Sequence, residues 1–285
     1  MTSLLVDGTV YGLQLSLLAV GLTLIFGLGG VLNLAHGDFA IVAGISTWLL
    51  IRKGVVLPVA AGLGILTAGV VGLIIDRVLL LPAYRLKGEG RLLLGLMLTL
   101  GLALAIEGCL TYIYPQASLS WRLPTPRINV LGVIIRTASL AVAVGSIVVL
   151  LSLVLFLKMT SLGKAIRCII QNETGAELCG IDLARIRTLI FVLGASIGGL
   201  VGIGQGLFTS LGPERGFELT VFALIVTTVG GVRSINGTLM AGILLGVVHA
   251  FASYFVGAYM TYVILLATAA FTVLIRPSGL LGHWT

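Results

Sequence analysis

Charge is scarce in this 285-residue chain: Asp, Glu, Lys and Arg together make up 9% of it, where soluble domains carry about 25%. That scarcity excludes a water-soluble globule. Disorder is excluded too, because it needs low hydrophobicity and high charge, and here 58% of the residues are hydrophobic. Cysteine is equally sparse. Cys109 lies in an apolar run, while Cys168 and Cys179 sit in a basic stretch without CxxC spacing, so neither a disulfide framework nor a zinc site is expected. The three histidines, His36, His249 and His283, do not cluster in sequence. There is no GxxxxGK(S/T) loop, since Gly163-Lys164 lacks both the upstream glycine and the following hydroxyl residue, and HExxH and GxSxG are missing as well. The chain is therefore not expected to be an enzyme or to bind ATP, a metal or another cofactor itself. Met1 to Asp7 carries no basic region before the first apolar run, so a cleavable signal peptide is not expected.

What is abundant is apolar sequence, with a mean hydropathy of +1.18. Apolar runs cover residues 9–32, 34–51, 57–81, 92–114, 133–157, 188–211, 217–232, 238–256 and 258–275. A spanning helix takes about 20 apolar residues, and lipid offers the backbone no outside partners. The expected fold is an all-α polytopic bundle of about 8–9 membrane segments, one domain over residues 1–285. Run 217–232 is short and reads as re-entrant or broken. The net charge of +7 points to lipid and the positive-inside rule rather than to nucleic acid. Arg77, Arg85, Lys87, Arg91, Lys158, Lys164, Arg167, Arg185, Arg187, Arg233 and Arg276 share one side, assigned to the cytoplasm; Arg52, Lys53, Arg122, Arg127, Arg136 and Arg215 share the other. Nine crossings put the N-terminus outside and the C-terminus inside; one re-entrant segment would reverse the N-terminus.

Polar residues inside the apolar runs are few. Asn33-Leu-Ala-His36-Gly37-Asp38 follows the helix-poor stretch Gly27-Leu-Gly29-Gly30. One reading ends the first helix in the glycines and caps a new helix with Asn33, its positive end facing the break, as in the discontinuous helices of transporters. The other is an interfacial turn between two ordinary helices. Glu107 is either a functional acid or a structural partner within the bundle. Asp76 and Arg77 read as interfacial anchors, and His249 as a packing histidine. Glycine is plentiful, at 39 residues. Gly194, Gly198, Gly202 and Gly206 recur every fourth residue and form a small-residue ridge for close helix packing, a pattern that Gly242 and Gly246 repeat. No strong internal repeat is visible.

Residues 158–187 form a basic loop with its own pattern. Ser161 reads as an N-cap. Leu162, Ala165, Ile166, Ile169 and Ile170 line one helical face, with Lys164, Arg167 and Gln171 opposite. Asn172 caps a second short helix with Glu173 in its first turn, and Gly180 ends it in the left-handed region. The result is an L-shaped helix pair, either resting on the bilayer or docking a cytoplasmic partner.

Taken together, several blocks resemble the LivH-type membrane permeases of branched-chain amino acid ABC importers. They are Gly21-Leu-Thr-Leu-Ile-Phe-Gly27, Leu32-Asn-Leu-Ala-His-Gly-Asp38, Thr160-Ser-Leu-Gly-Lys-Ala-Ile-Arg167, Ala176-Glu-Leu-Cys-Gly-Ile-Asp-Leu-Ala-Arg185, Val229-Gly-Gly-Val-Arg-Ser-Ile-Asn-Gly237 and Ile275-Arg-Pro-Ser-Gly-Leu-Leu-Gly282. The resemblance runs in family order over about residues 10–282. Two departures stand out: Arg233 replaces a small residue, and Gln171-Asn172-Glu173-Thr174 differs from the common Glu-Asn-Pro. The resemblance implies a permease of the bacterial inner membrane, partnered by a second related, LivM-like permease, two cytoplasmic ATPase subunits that bind the ATP, and a periplasmic substrate-binding protein. It implies a translocation path near Asn33, His36, Gly37, Asp38, Gly230 and Gly231. It also implies ATPase coupling through Ser161, Leu162, Gly163, Ala165, Ile166, Arg167, Ile169, Asn172, Glu173 and Gly180. Substrates of such systems are branched-chain or other neutral amino acids, amides or urea, moved by alternating access. The few intramembrane charges speak against a strongly charged site in this chain, which leaves selectivity to the binding protein. The rival readings are a passive channel for urea or another small neutral solute, and an ion-coupled transporter using Asp38 or Glu107.

Overall fold

A computed structural model describes residues 1–115, 121, 127–130, 133–232, 234–276 and 279–280. Arg122, Arg233, His283 and part of the 275–282 block lie outside the described residues. The helices are α1 (Thr2–Gly29), α2 (Asp38–Arg52), α3 (Leu57–Ile74), α4 (Leu81–Tyr84), α5 (Glu89–Ile113), α6 (Thr137–Met159), α7 (Ser161–Gln171), α8 (Glu173–Leu178), α9 (Leu183–Gly206), α10 (Arg215–Gly230), α11 (Ile235–Phe255) and α12 (Ala258–Ile275). A π-helical turn, Ile75–Leu79, extends α3. Strands β1 (Arg127–Val130) and β2 (Val133–Arg136) form a small antiparallel hairpin before α6.

That hairpin corrects one expectation. Run 133–157 reads as helix from its first residue, yet Val133, Ile134 and Ile135 pair with β1 and the helix begins at Thr137. Branched side chains at Cβ suit a pleated ladder better than a helix start.

Among the described residues, seven helices are long and apolar enough to cross a membrane: α1, α5, α6, α9, α11, α12, and α3 with its π-turn. Helices α2 and α10, at 15 and 16 residues, are too short alone. Each follows an irregular segment that brings the chain into the bundle, residues 30–37 before α2 and 207–214 before α10. Counted this way, the described chain passes nine times between a basic end, where α7 and α8 lie, and the opposite, far end.

Helix α1 is enclosed by its neighbours, with Leu17, Leu18, Ala19, Val20 and Leu22 wholly buried. On the outer helices large apolar residues stay exposed, among them Leu66, Met97, Leu151 and Leu266. This is the inside-out distribution expected where lipid is the solvent. Lipid also removes the hydrophobic drive between helices, so small residues and close backbone contact hold the bundle together. A Cβ on Gly246 would run into the backbone of Gly12, and one on Gly242 into Ser16, which fixes the antiparallel pair α1–α11. Gly72 and Gly199 do the same for α3–α9, against Ala195 and Ala68.

These two pairs belong to a larger pattern. A long helix, an irregular entry, a short helix and two long helices occur in order as α1, 30–37, α2, α3, α5, and again as α9, 207–214, α10, α11, α12. The second set runs in the opposite direction. Thus α1 packs on α11 as α9 packs on α3, and the short helices meet each other. The internal repeat missing from the sequence is present as an inverted repeat of the fold.

Candidate functional site

The left-handed Gly30, with φ of 61°, ends α1 and turns the chain inward. Asn33 does not cap the next helix, contrary to the sequence reading. Its Oδ1 accepts from Ala35 N–H at 3.0 Å, a turn spans residues 34–37, and α2 starts at Asp38 with Gly37 in the cap position. The broken geometry itself is as expected: α2 begins inside the bundle, beside Leu18 at the middle of α1.

Asn33, His36 and Asp38 are buried to 0%, 0% and 1% exposure, so nearly every polar group here needs a protein partner. Thr99 of α5 accepts from Leu34 N–H at 3.0 Å. Thr220 of α10 accepts from Gly37 N–H at 2.7 Å. His36 Nε2 lies 3.1 Å from the Leu18 carbonyl. A carbonyl only accepts, so Nε2 carries the proton and Nδ1 is left as an acceptor. Nδ1, Asn33 Nδ2 and Asp38 Oδ2 have no hydrogen-bond partner among the described residues.

The start of α10 meets the start of α2 at this level. Gly37 lies against the Gly216 carbonyl, and Gly216 against the Asp38 side chain, so close that neither position has room for a Cβ. Two helix N-termini thus converge deep in the bundle, with the Asp38 side chain packed between them. Glycines of α9 flank the junction. A Cβ on Gly198 would sit 3.4 Å from the His36 carbonyl, Gly194 faces Ile25 and Gly21 of α1, Gly202 faces Ala40 of α2, and Gly206 lies under the Trp121 ring. The four glycines all face neighbours in the same chain.

Gly230 and Gly231 are not part of this junction. They close the turn from α10 to α11 at the basic end, about 20 Å from Gly216 at ~1.5 Å per helical residue. Gly230 packs on Gly237 and Thr238, and Gly231, with φ of 104°, takes a conformation that favours glycine. Glu107 lies part-exposed on α5 beside Leu104 and Thr111, with no hydrogen bond or ion pair among the described residues. His249 packs between Tyr11 and Phe222, at ring centroid distances of 4.4 and 5.7 Å.

At the basic end the two short helices form as expected, with one shift. Thr160, not Ser161, caps α7, accepting from Gly163 N–H at 3.0 Å. Ser161 is the first helical residue. Asn172 caps α8 through Gly175 N–H at 2.9 Å, and Gly180 has φ of 80°. Asn172 is extended, so α8 does not continue α7. Gly163 packs on the Leu157 backbone and Arg167 donates to the Leu157 carbonyl, which ties α7 to α6. The apolar stripe faces inward: Ile166 and Ile169 are buried in the core with Leu153 and Leu157, and Ala165 is half-buried. The outer face presents Leu162, Lys164, Glu177 and Leu178, the last 85% exposed.

Charge fastens α8 to the bundle. Glu173 pairs with Arg91 of α5 at 3.1 Å and with Arg187 of α9. Arg91 also packs on Gly30, at the end of α1. Beside this cluster Asp76 accepts from Tyr84 at 2.8 Å and Thr188 at 2.6 Å. It is buried, which corrects its reading as an interfacial anchor. Burial, reinforced by Asp76, raises the Tyr84 phenol above its ordinary value and keeps it a donor.

A bundle with two broken helices meeting at its centre and a helix pair at one end is the architecture of a polytopic membrane protein. The chain belongs to the family described as branched-chain amino acid transport system / permease component, whose profile matches residues 4–273. It is 28% identical to the Pseudomonas aeruginosa high-affinity branched-chain amino acid transport system permease protein BraD, covering 98% of this chain and 95% of that one. It is 25% identical to the permease protein LivH of the corresponding Escherichia coli system, covering 97% and 94%. A probable LivH of Methanocaldococcus jannaschii is 25% identical over 96% of this chain and 90% of that protein. Among solved structures, PsaBC from Streptococcus pneumoniae in complex with Fab shares the fold, with a TM-score of 0.51 at 14% identity, covering 94% of this chain and 89% of that one.

Proposed function

We propose that this chain is the permease subunit of an ATP-driven importer of the bacterial inner membrane, carrying branched-chain or other neutral amino acids, amides or urea. The observation that carries this reading is the α7–α8 pair. It is tied to α1, α5, α6 and α9 on its inner side and offers an outer face of charged and apolar residues. One of two cytoplasmic ATPase subunits docks on that face, and the pair hydrolyses the ATP. A second, LivM-like permease completes the membrane part, and a periplasmic binding protein delivers substrate to the far end. The N-terminus is outside and the basic end inside. On ATP binding the docked helices move, and the rigid Glu173 linkage passes that motion to α5 and α9. Small-residue interfaces repack in discrete steps, which suits alternating access at the Asn33–Asp38 junction.

The buried Ile166 and Ile169 are the wrong residues to probe docking, since charge there would damage the fold. The exposed pair Leu162 and Leu178 is the right one. The double variant Leu162→Asp with Leu178→Asp is expected to insert and assemble with its permease partner, while losing ATPase co-purification and ATP-dependent uptake. Unchanged association and transport would sink the reading. A homo-oligomer without ATPases, taking up solute independently of ATP, would establish the passive channel instead.

A further inference from the structure

The connector from α3 to α5, which holds the π-turn and α4, has two unlike faces. Ile75, Asp76, Leu80 and Ala83 are buried. Arg77, Val78, Leu81 and Arg85 are exposed. The apolar members of the outer face are large and open, with Val78 73% and Leu81 48% exposed. They continue the exposed flank of α3, where Leu66, Val70 and Ile74 face lipid. The connector therefore lies where that flank meets the water at the basic end of the bundle.

Two guanidiniums stand at that boundary without a counter-ion. Neither Arg77 nor Arg85 has an ion pair among the described residues. Asp76, the neighbour of Arg77 in sequence, is buried and accepts from Tyr84 and Thr188. Lys87 lines a crevice with Glu173 and Glu177 of α8, so its charge is met from that side. Among residues 75–89, Glu89 is the one exposed acid, against Arg77, Arg85 and Lys87. Excess positive charge beside exposed apolar side chains complements an anionic phospholipid, which offers a phosphate to the first and an acyl chain to the second. A soluble phosphate would use the charge alone and leave Val78 and Leu81 uncovered. An acidic protein surface would have to cover a flank that is continuous with the lipid-facing side of α3.

We infer that the outer face of this connector is a binding site for an anionic phospholipid of the adjoining leaflet. Arg77 and Arg85 hold the phosphate, and the acyl chain lies along Val78, Leu81 and the end of α3. Arginine suits the role because its planar fork can take two phosphate oxygens at once. The bound lipid also has a route to the short helix α8. The Arg187 guanidinium lies over the Tyr84 ring, 5.3 Å from its centroid. Arg91 Nε donates to the Leu86 carbonyl at 2.9 Å. Both arginines pair with Glu173 of α8. A lipid that steadies the connector thus steadies the attachment of α8. The site does not depend on the importer reading, and its test needs neither ATP nor substrate.

The full chain, freed of native lipid in mild detergent, would be titrated with phosphatidylglycerol and with phosphatidylcholine and read by native mass spectrometry. Phosphatidylglycerol is expected to bind about tenfold more tightly. Arg77→Gln with Arg85→Gln is expected to abolish that preference, and Arg77→Lys with Arg85→Lys to keep part of it. Each single glutamine change should weaken phosphatidylglycerol about threefold, which keeps the test open should the double variant misfold. Lys164→Gln with Arg185→Gln removes the same charge from exposed positions at the same end, outside the connector, and should leave the preference unchanged. Bound phosphatidylglycerol should also slow amide exchange at residues 75–88. Equal binding of the two lipids, or an undiminished preference in folded Arg77 and Arg85 variants, overturns the site. An equal loss in the Lys164 and Arg185 variant overturns it too, since net charge alone would then attract the lipid. Displacement of the lipid by millimolar inorganic phosphate would leave a phosphate site and remove the lipid. Protection of the connector by a co-purified ATPase without lipid would assign the face to protein instead.

Discussion

Gly216 shows how little volume separates the two broken helices. It lies against Asp38 on one side and Gly37 on the other, and one methyl group has nowhere to go. Gly216→Ala is expected to destabilise the chain by about 1–3 kcal/mol, the usual range for overpacking. This would be read as a lower melting temperature in detergent together with reduced transport. Gly62 is the matched control, because a Cβ there meets nothing within 4 Å. Gly62→Ala should raise stability by about 0.5–1 kcal/mol through lost backbone freedom. Equal behaviour of the two variants would mean that the junction is looser than its geometry requires. The polar residues of this motif stand out in sequence because they interrupt apolar runs. Their partners, Leu18, Thr99 and Thr220, carry no such mark: a mid-helix carbonyl and two scattered threonines become partners only through packing.

Among elements, α8 has the most specific attachment. Six residues make too short a helix to be stable alone, and α8 is held by its Asn172 cap and by Glu173 between two guanidiniums. Glu173→Gln removes the charge and leaves Arg91 and Arg187, both nearly buried, without their shared counter-ion. Faster amide exchange confined to residues 161–178 is expected, along with ATP hydrolysis that no longer drives uptake. Unchanged exchange would show that the caps alone fix the helix pair. The caps and apolar stripe of this loop are legible in sequence because they are local. Which way the stripe faces is not: an amphipathic helix docks its apolar side on whatever lies nearest, and here that is α6 rather than lipid or a partner.

For the whole molecule, the two ends are distinguishable by labelling. Lys53 is exposed at the far end of α2 and Lys164 on the outer face of α7. In a background with Cys109, Cys168 and Cys179 replaced, a membrane-impermeant thiol reagent should label Lys53→Cys in intact cells. It should label Lys164→Cys only after permeabilisation. Reversal of that pattern would invert the proposed orientation.

What the sequence determined by itself is the solvent and the class of fold. Long apolar runs without charge have one stable solution in lipid, helices that satisfy their own backbone, and a break of glycines followed by Asn33 to Asp38 marks where one of them stops. Family motifs spread over most of the chain brought the class of permease within reach. Only the tertiary structure decided that two halves without visible sequence similarity repeat in inverted order. An inverted repeat is preserved by helix lengths and small contact residues, and many sequences meet those two requirements. Only the fold, too, brought Arg91, Glu173 and Arg187 into one ion-pair cluster from three helices. Residues that far apart meet because packing sets their helices side by side, a consequence that no spacing along the chain encodes.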